Sequence, residues 1–469
     1  MDPRELLEKT ALELPYMPTG QQSMVLAALA RFCAGGNPRS VFVLNGYAGT
    51  GKTSLVAALV RALGQMEVPT VLLAPTGRAA KVLSAMAGVP AYTIHRRIYR
   101  PPLPGQQLVM TLTPNRIKDA VFIVDEASMI GGEDSAERSS LLDDLLTYVF
   151  SGDNCKLLLL GDKAQLPPVG TDNSPAMVPA TLKAMGMNVS SAVMTEIVRQ
   201  GSDSGILVNA TWLRRKMLDN PETPLFKVSG FDDVVAVEGY DLIDTLASAY
   251  AQDGVESTIL VTRSNRSATQ ANLMIRNSIF DAQEELVRGE RILVAKNNYL
   301  WGEKVDGLDF IANGDIATVE TVIATETKDC LRFADVLLRF PDRGGVEVEA
   351  KIVLDSLTSE SATIEPQKWE TFFNRRLTDP MLFEPTAPAE TRMRKMRTDA
   401  WANALQVKYA YAMTCHKAQG GQWANVFVDT RSAALPDETP LEHFRWLYTA
   451  FTRATEKLYL INPPEESLR

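Results

Sequence analysis

The hydrophobic positions of this 469-residue chain follow two periods. Residues 41–45, 71–74, 120–124 and 156–160 are nearly unbroken apolar runs of valine, isoleucine, leucine and phenylalanine. Short runs that are apolar at every position are how strands buried on both faces of a parallel sheet read. Between them the spacing changes. Leu55, Val56, Leu59, Val60 and Leu63 recur at helical intervals, and residues 24–32 form another apolar helical stretch. Strand and helix in alternation predict an α/β layer with a parallel sheet. Beyond residue 200 the pattern starts again: residues 258–261, 409–413, 426–428 and 458–461 are strand-like, and a helical run passes through Leu273 and Ile279. A second α/β unit is expected there. The stretch 313–406 interrupts it with β-like segments such as Val346, Glu347 and Val348, with proline-rich turns, and with a basic cluster at Arg392, Arg394, Lys395 and Arg397. That cluster reads as a solvated helix face, with a phosphate-facing patch as the alternative.

Each of the first four apolar runs ends in a polar cluster, and open parallel sheets bind ligands beyond the carboxyl ends of their strands. After residues 41–45 come Gly46, Tyr47, Ala48, Gly49, Thr50, Gly51, Lys52 and Thr53, which fit G-x-x-x-x-G-K-[ST] and lead into a helix. Strand, glycine loop and helix is the context a phosphate-binding loop requires. The glycines let backbone N–H groups surround phosphate oxygens, and the helix start adds partial positive charge. Lys52 is placed to reach the outer phosphates of ATP and Thr53 to ligate Mg²⁺. Asp125 and Glu126 end the third run: Asp125 to hold Mg²⁺, Glu126 to orient and deprotonate the attacking water. Gln165, at the end of the fourth, is placed to sense the γ-phosphate. Gln22 lies just upstream of the loop, where a carboxamide can read adenine; a polar helix start accounts for it equally.

Charge and cysteine usage narrow the class. The net charge of −9 disfavours a passive nucleic-acid coat protein and leaves open a motor with a locally basic groove. Cys33, Cys155, Cys330 and Cys415 are scattered without C-x-x-C spacing, which suits a reducing, cytoplasmic setting and argues against zinc. No apolar run approaches the roughly 20 residues of a membrane span, and the polar start Met1, Asp2, Pro3, Arg4 and Glu5 carries no visible signal peptide.

The ordered clusters resemble superfamily 1 helicases, and specifically the 5′-to-3′ branch of RecD-like, Dda-like and PIF-type helicases. The resemblance runs over residues 46–53, 74–80, 93–96, 124–129, 161–169, 195–200, 296–299, 313–315, 414–420 and 448–454. It implies two tandem RecA-like P-loop domains with ATP between them. The first would be residues 1–200, with a hairpin insertion near 97–118 acting as a wedge. The second would be 201–312 and 407–469, and 313–406 would form an inserted small β-barrel. It further implies Gln22 at adenine, and Arg199 and Arg453 as γ-phosphate arginines. Single-stranded DNA would meet Thr76, Arg78, His95, Asn265, Thr414, His416 and Lys417. Ala317 stands where the family usually has glycine. The insertion falls in the second half, which is the placement of the 5′-to-3′ branch, so a 5′-tailed duplex is the expected substrate and a monomer the expected working unit. A P-loop kinase or GTPase leaves residues 414–420 and 448–454 unexplained. An ATP-controlled DNA-binding remodeller or translocase that never separates strands would share every one of these motifs.

Overall fold

The structure is a computed structural model; it describes residues 1–100, 111–131, 140–197, 204–219, 223–302, 305, 310–430 and 438–468. The first unit contains β1 (Ser40–Gly46), β2 (Thr70–Ala74), β3 (Ala91–Thr93), β4 (Tyr99–Arg100), β5 (Thr111–Leu112), β6 (Val121–Val124), β7 (Lys156–Gly161) and β8 (Asn188–Met194). Six of them form a parallel sheet in the order β3-β2-β6-β7-β1-β8. Successive side chains of a strand face opposite ways. Phe42 and Leu44 therefore enter one apolar cluster with the helices Gly20–Ala34 and Lys52–Gln65, while Val41 and Val43 enter another with Leu141–Ser151. Both faces are covered, which is why the strand runs lack alternation. Strands β4 and β5 pair antiparallel and flank residues 101–110, so the proline-rich part of the expected hairpin lies outside the described residues.

The second unit begins with β9 (Val234–Val237) and β10 (Thr258–Thr262). The chain then leaves it for β11 (Arg291–Val294), β12 (Ile316–Lys328), β13 (Leu331–Phe340), β14 (Val346–Val353) and β15 (Leu405–Tyr409), which close into a barrel. It returns with β16 (Ala412–Thr414), β17 (Trp423–Asp429) and β18 (Ala454–Ile461), giving a parallel sheet in the order β16-β10-β17-β18-β9. The expected insertion limits of 313 and 406 are corrected at both ends. β11 pairs with both β12 and β15, so the ring needs residues before 313 and after 406. The single run expected at 409–413 divides at Ala410: Tyr409 ends the barrel and Ala412 starts the motor strand. Ala317 is fully buried opposite Ile292 in the barrel wall. Arg392 and Lys395 of the basic cluster donate to the backbone carbonyls of Leu377, Ala387, Pro385 and Leu382, so much of that cluster braces its own helical hairpin. Among the described residues, no helix is long and apolar enough to cross a membrane.

The barrel is rooted in the second unit by a buried ion pair. Arg276, on the helix Asn265–Ser278, meets Glu290 with Nε to Oε1 at 2.8 Å and Nη2 to Oε2 at 2.9 Å. Tyr411 donates to the same carboxylate at 3.1 Å, and the guanidinium lies 4.3 Å from the Tyr409 ring centroid. The barrel also touches the first unit. Lys81 Nζ is 2.5 Å from Asp342, and Asp315, paired with Arg343 at 3.0 Å, leaves no room for a side chain at Gly77. Removing one partner of a buried pair typically costs about 3–5 kcal/mol, because the other charge stays buried alone. Glu290→Ala should therefore lower the urea midpoint of the second unit by an amount of that order; a change worth less than about 1 kcal/mol would show that the pair does not anchor the barrel.

Candidate active site

Strands β6, β7 and β1 are neighbours, and the loops that follow them bring Asp125 and Glu126, then Asp162 to Gln165, then the glycine loop together. Gly49 and Gly51 have φ of +79° and +81°, a region glycine enters without strain. A Cβ on Gly51 would stand 2.8 Å from Gln22 Nε2, and one on Gly46 would stand 2.7 Å from Lys52 Cδ. The Lys52 ammonium donates to the carbonyls of Gly46 and Tyr47, so it is held within the loop. Thr50 is buried under the loop, with its hydroxyl donating to the Tyr47 carbonyl at 2.8 Å.

Thr53 Oγ1 lies 3.3 Å from Asp125 Oδ2. Burial raises the pKa of Asp125, against the N–H of Glu126, the Lys52 charge and the Thr53 hydroxyl. Burial also raises that of Glu126, opposed by Arg453 and reinforced by Asp125. Two desolvated carboxyls beside a hydroxyl are a hard-oxygen donor set that a divalent cation would relieve, so the residues fit Mg²⁺ with a nucleotide. Glu126 adopts φ +52°, a left-handed conformation rare outside glycine and asparagine, which fits a residue held for a task. The Gln165 side-chain oxygen is buried without a hydrogen-bond partner, as a group reserved for a ligand or water would be.

The second unit closes this site. Arg453, at the end of the helix Pro440–Phe451, places Nη1 3.9 Å from Glu126 Oε1. Its guanidinium is aimed by bonds to the carbonyls of Thr449 and Gly421 and to the Thr452 hydroxyl. Tyr448 crosses the cleft as well. Its hydroxyl donates to Asp162 Oδ2 at 2.6 Å and accepts the Ala48 N–H at 2.9 Å. Leu166 N–H donates to Thr449 Oγ1, and Gln419 Nε2 donates to the Leu166 carbonyl, both at 2.8 Å. Arg214, on the helix Gly205–Leu218, lies 4.0 Å from the Tyr47 ring centroid. Tyr448, Asp162 and Arg214 were not singled out from the sequence. Asp162 and Tyr448 stand inside the quoted clusters, and that was their only signal.

Gln22 is buried and its carboxamide is engaged: Oε1 accepts the Thr19 N–H, and Nε2 donates to the Thr50 carbonyl. In this conformation it supports the loop, and adenine would have to displace the Thr50 bond. Arg199 lies outside the described residues. Its neighbours Thr195 and Glu196 donate their N–H groups to Gln21 Oε1 at 2.8 Å.

The expected nucleic-acid residues follow strands at one edge of each sheet. Thr76 comes after β2 and His95 after β3, and these strands are neighbours; Asn265 comes after β10 and Thr414 ends β16, again neighbours. Thr76 Oγ1 caps its helix through Ala79 N–H. The Arg78 guanidinium lies 3.9 Å from the Trp423 ring centroid and bonds the Gln422 carbonyl, so it joins the two units; burial pushes its pKa down to about 10. The His95 ring leans on Tyr99 with centroids 5.7 Å apart. Burial lowers the pKa of His416 and of Lys417.

A family model described as an AAA domain matches residues 19–220, and one described as a UvrD-like helicase C-terminal domain matches residues 409–461. The chain is 26% identical over 272 residues to the ATP-dependent DNA helicase Dda of Enterobacteria phage T4, covering 56% of this chain and 58% of that protein. It is 35% identical over 171 residues to the ATP-dependent RecD2 DNA helicase of Deinococcus radiodurans, covering 35% and 20%. The matched stretches of this chain are thus similar to an AAA domain, to a UvrD-like helicase C-terminal domain and to parts of two ATP-dependent DNA helicases. The chain spans about six-tenths of the phage relative and one-fifth of the Deinococcus one. A solved structure of Pif1 helicase from Bacteroides, in complex with ADP-AlF3 and ssDNA, superposes with a TM-score of 0.47 at 16% identity, covering 95% of this chain and 92% of that one.

The glycine loop yields a direct test. Gly51→Ala would force a Cβ into a positive-φ position already crowded by Gln22. Binding of a fluorescent ATP analogue should weaken by about tenfold or more, on a strain of order 1–3 kcal/mol. Unchanged affinity would remove the loop conformation from the account of the site.

Proposed function

We propose that this chain is an ATP-hydrolysing DNA helicase that moves 5′-to-3′ along single-stranded DNA and separates the strands of a duplex ahead of it. The observation that carries the reading is the split site: Glu126, from the first unit, and Arg453, from the second, stand 3.9 Å apart across the cleft. Lys52 and Thr53 would hold the phosphates, Thr53 and Asp125 the Mg²⁺, and Gly46, Ala48, Gly49, Thr50 and Gly51 the loop that wraps them. When bound, Mg²⁺ would supply charge neutralisation to the phosphates. Glu126 would take the proton of the attacking water, with Gln165 beside it, and Arg453 and Arg199 would stabilise charge in the transition state. Gln22 would turn to adenine.

Motion follows from the same residues. Lys52 and Arg453 draw the two units together over the triphosphate; once the terminal phosphate is gone, Arg453 loses its partner and the units part. Thr76, Arg78 and His95 on one unit and Asn265, Thr414, His416 and Lys417 on the other would grip the strand in turn. Stacking and phosphate contacts of this kind tolerate any sequence. The β4–β5 pair follows His95 directly, a position from which its hairpin would act as the wedge. A monomer acting in the cytoplasm is sufficient for this cycle.

Removing a transition-state arginine typically costs on the order of 10³–10⁵ in rate. Arg453→Ala should lose turnover on that scale while still binding nucleotide; a fall of less than about tenfold in DNA-stimulated hydrolysis would sink its role.

Polarity and strand separation are tested together on partial duplexes. With ATP and Mg²⁺, a 5′-tailed duplex should be unwound and a 3′-tailed one should be a poor substrate. Preference for the 3′ tail would overturn the direction. DNA-stimulated hydrolysis without unwinding of either would leave a translocase or remodeller.

A further inference from the structure

We infer that Lys408, on barrel strand β15, is a phosphodiester-binding residue that makes the barrel a part of the single-strand track. The inference rests on the proposed nucleic-acid function and extends it to an element with no assigned role there. β11, β15 and the start of β16 meet the helix Asn265–Ser278 at a small cleft. Asn265, Thr269, Asn272, Lys408, Thr414 and Lys417 are among its polar lining, and the Asn272 carboxamide is spent on the backbone of Ala268, Tyr411 and Ala412. Lys408 is 7% exposed. Its ammonium donates to the Ser359 carbonyl at 2.5 Å, which Thr269 Oγ1 also bonds at 3.0 Å. That satisfies one of three ammonium donors.

Among the described residues no carboxylate pairs with Lys408 or Lys417. Burial and the neighbouring Lys417 ammonium push Lys408 down to about 8. The Thr414 hydroxyl does not cap the short helix it precedes, and the Asn265 carboxamide and Lys417 ammonium likewise make no hydrogen bond among the described residues. Burying like charges side by side without a counter-ion is costly. In a chain with nine more acidic than basic residues, carboxylates were available to relieve it. Two lysines with ammonium donors left over, a hydroxyl and a carboxamide converging without a counter-ion are the donor set of an anion seat, and the anion of a passing strand is its phosphodiester.

The test is the salt dependence of binding to a short fluorescent oligothymidylate, followed by anisotropy. Each phosphate neutralised on a single strand contributes about 0.7 to the slope of log K against log salt. Lys408→Gln should lower the slope by about that amount and weaken binding by about three- to tenfold at low salt, while Lys408→Arg keeps the slope. A slope unchanged in Lys408→Gln would make Lys408 only a structural tie to Ser359. A second measurement needs no variant. In the wild-type chain, oligothymidylate should slow amide hydrogen exchange in residues 356–361 and 405–409, and inorganic phosphate alone should not. No protection there, or equal protection by inorganic phosphate, would overturn the strand assignment. If the wild-type chain fails to bind oligothymidylate at all, the proposed motor function falls first, and this seat with it.

Discussion

The buried carboxylate of Asp162 depends on both halves of the molecule. It is 1% exposed and accepts from Tyr448 Oη, Ala48 N–H and Ala164 N–H, at 2.6, 3.1 and 2.9 Å. No cation pairs with it among the described residues, so these donors alone offset its desolvation. One of them belongs to the second unit, and another is the glycine loop itself. Parting the units would strip the carboxylate of its shortest bond and release Ala48 from Tyr448 in the same movement. A hydrogen bond to a charged group is worth about 1.5–3 kcal/mol. That is large enough to favour closure and small enough for a ligand in the cleft to overrule.

Further polar contacts cross the cleft. Thr449 and Gln419 bond the backbone of Leu166, and Arg453 reaches toward Glu126. At the other edge of the interface, Arg78 lies on Trp423, and Gly420 and Gly421 leave the space: a Cβ on Gly421 would stand 2.5 Å from the indole. Ala164 and Leu166 of the first unit also join the apolar cluster that holds Leu447, Tyr448 and Ala450 of the second, so opening would expose that apolar contact.

The barrel constrains this movement. Arg276 and Glu290 root it in the second unit, while Asp342 and Asp315 bring it against the helix Gly77–Ala87 of the first. The attachment to its own unit is buried and bidentate. The contact with the first includes a half-exposed lysine pair, which contributes little by itself. One end is therefore firm and the other releasable, and the barrel would travel with the second unit.

The sequence by itself determined whatever depends on neighbours along the chain. Strands β1, β2, β6 and β7 were legible because burial on both faces removes alternation from a short run. The glycine loop was legible because positive φ, close packing and a helix start impose residue types at fixed intervals. Asp125, Glu126 and Gln165 were legible because they end such runs. Tertiary structure alone decided what depends on distant partners. Tyr448 and Asp162 are 286 positions apart, and Tyr448 and Ala48 are 400 apart. No local period records such a pairing. The barrel extended past its expected limits because ring closure is a relation between β11 and β15, which are separated by the whole insertion. Gln22 was likewise undecided in one dimension, and Lys408 carried no signal there. Whether a carboxamide or an ammonium is spent on the protein or kept for a ligand depends on which groups folding brings within hydrogen-bond reach, and only the assembled structure sets those distances.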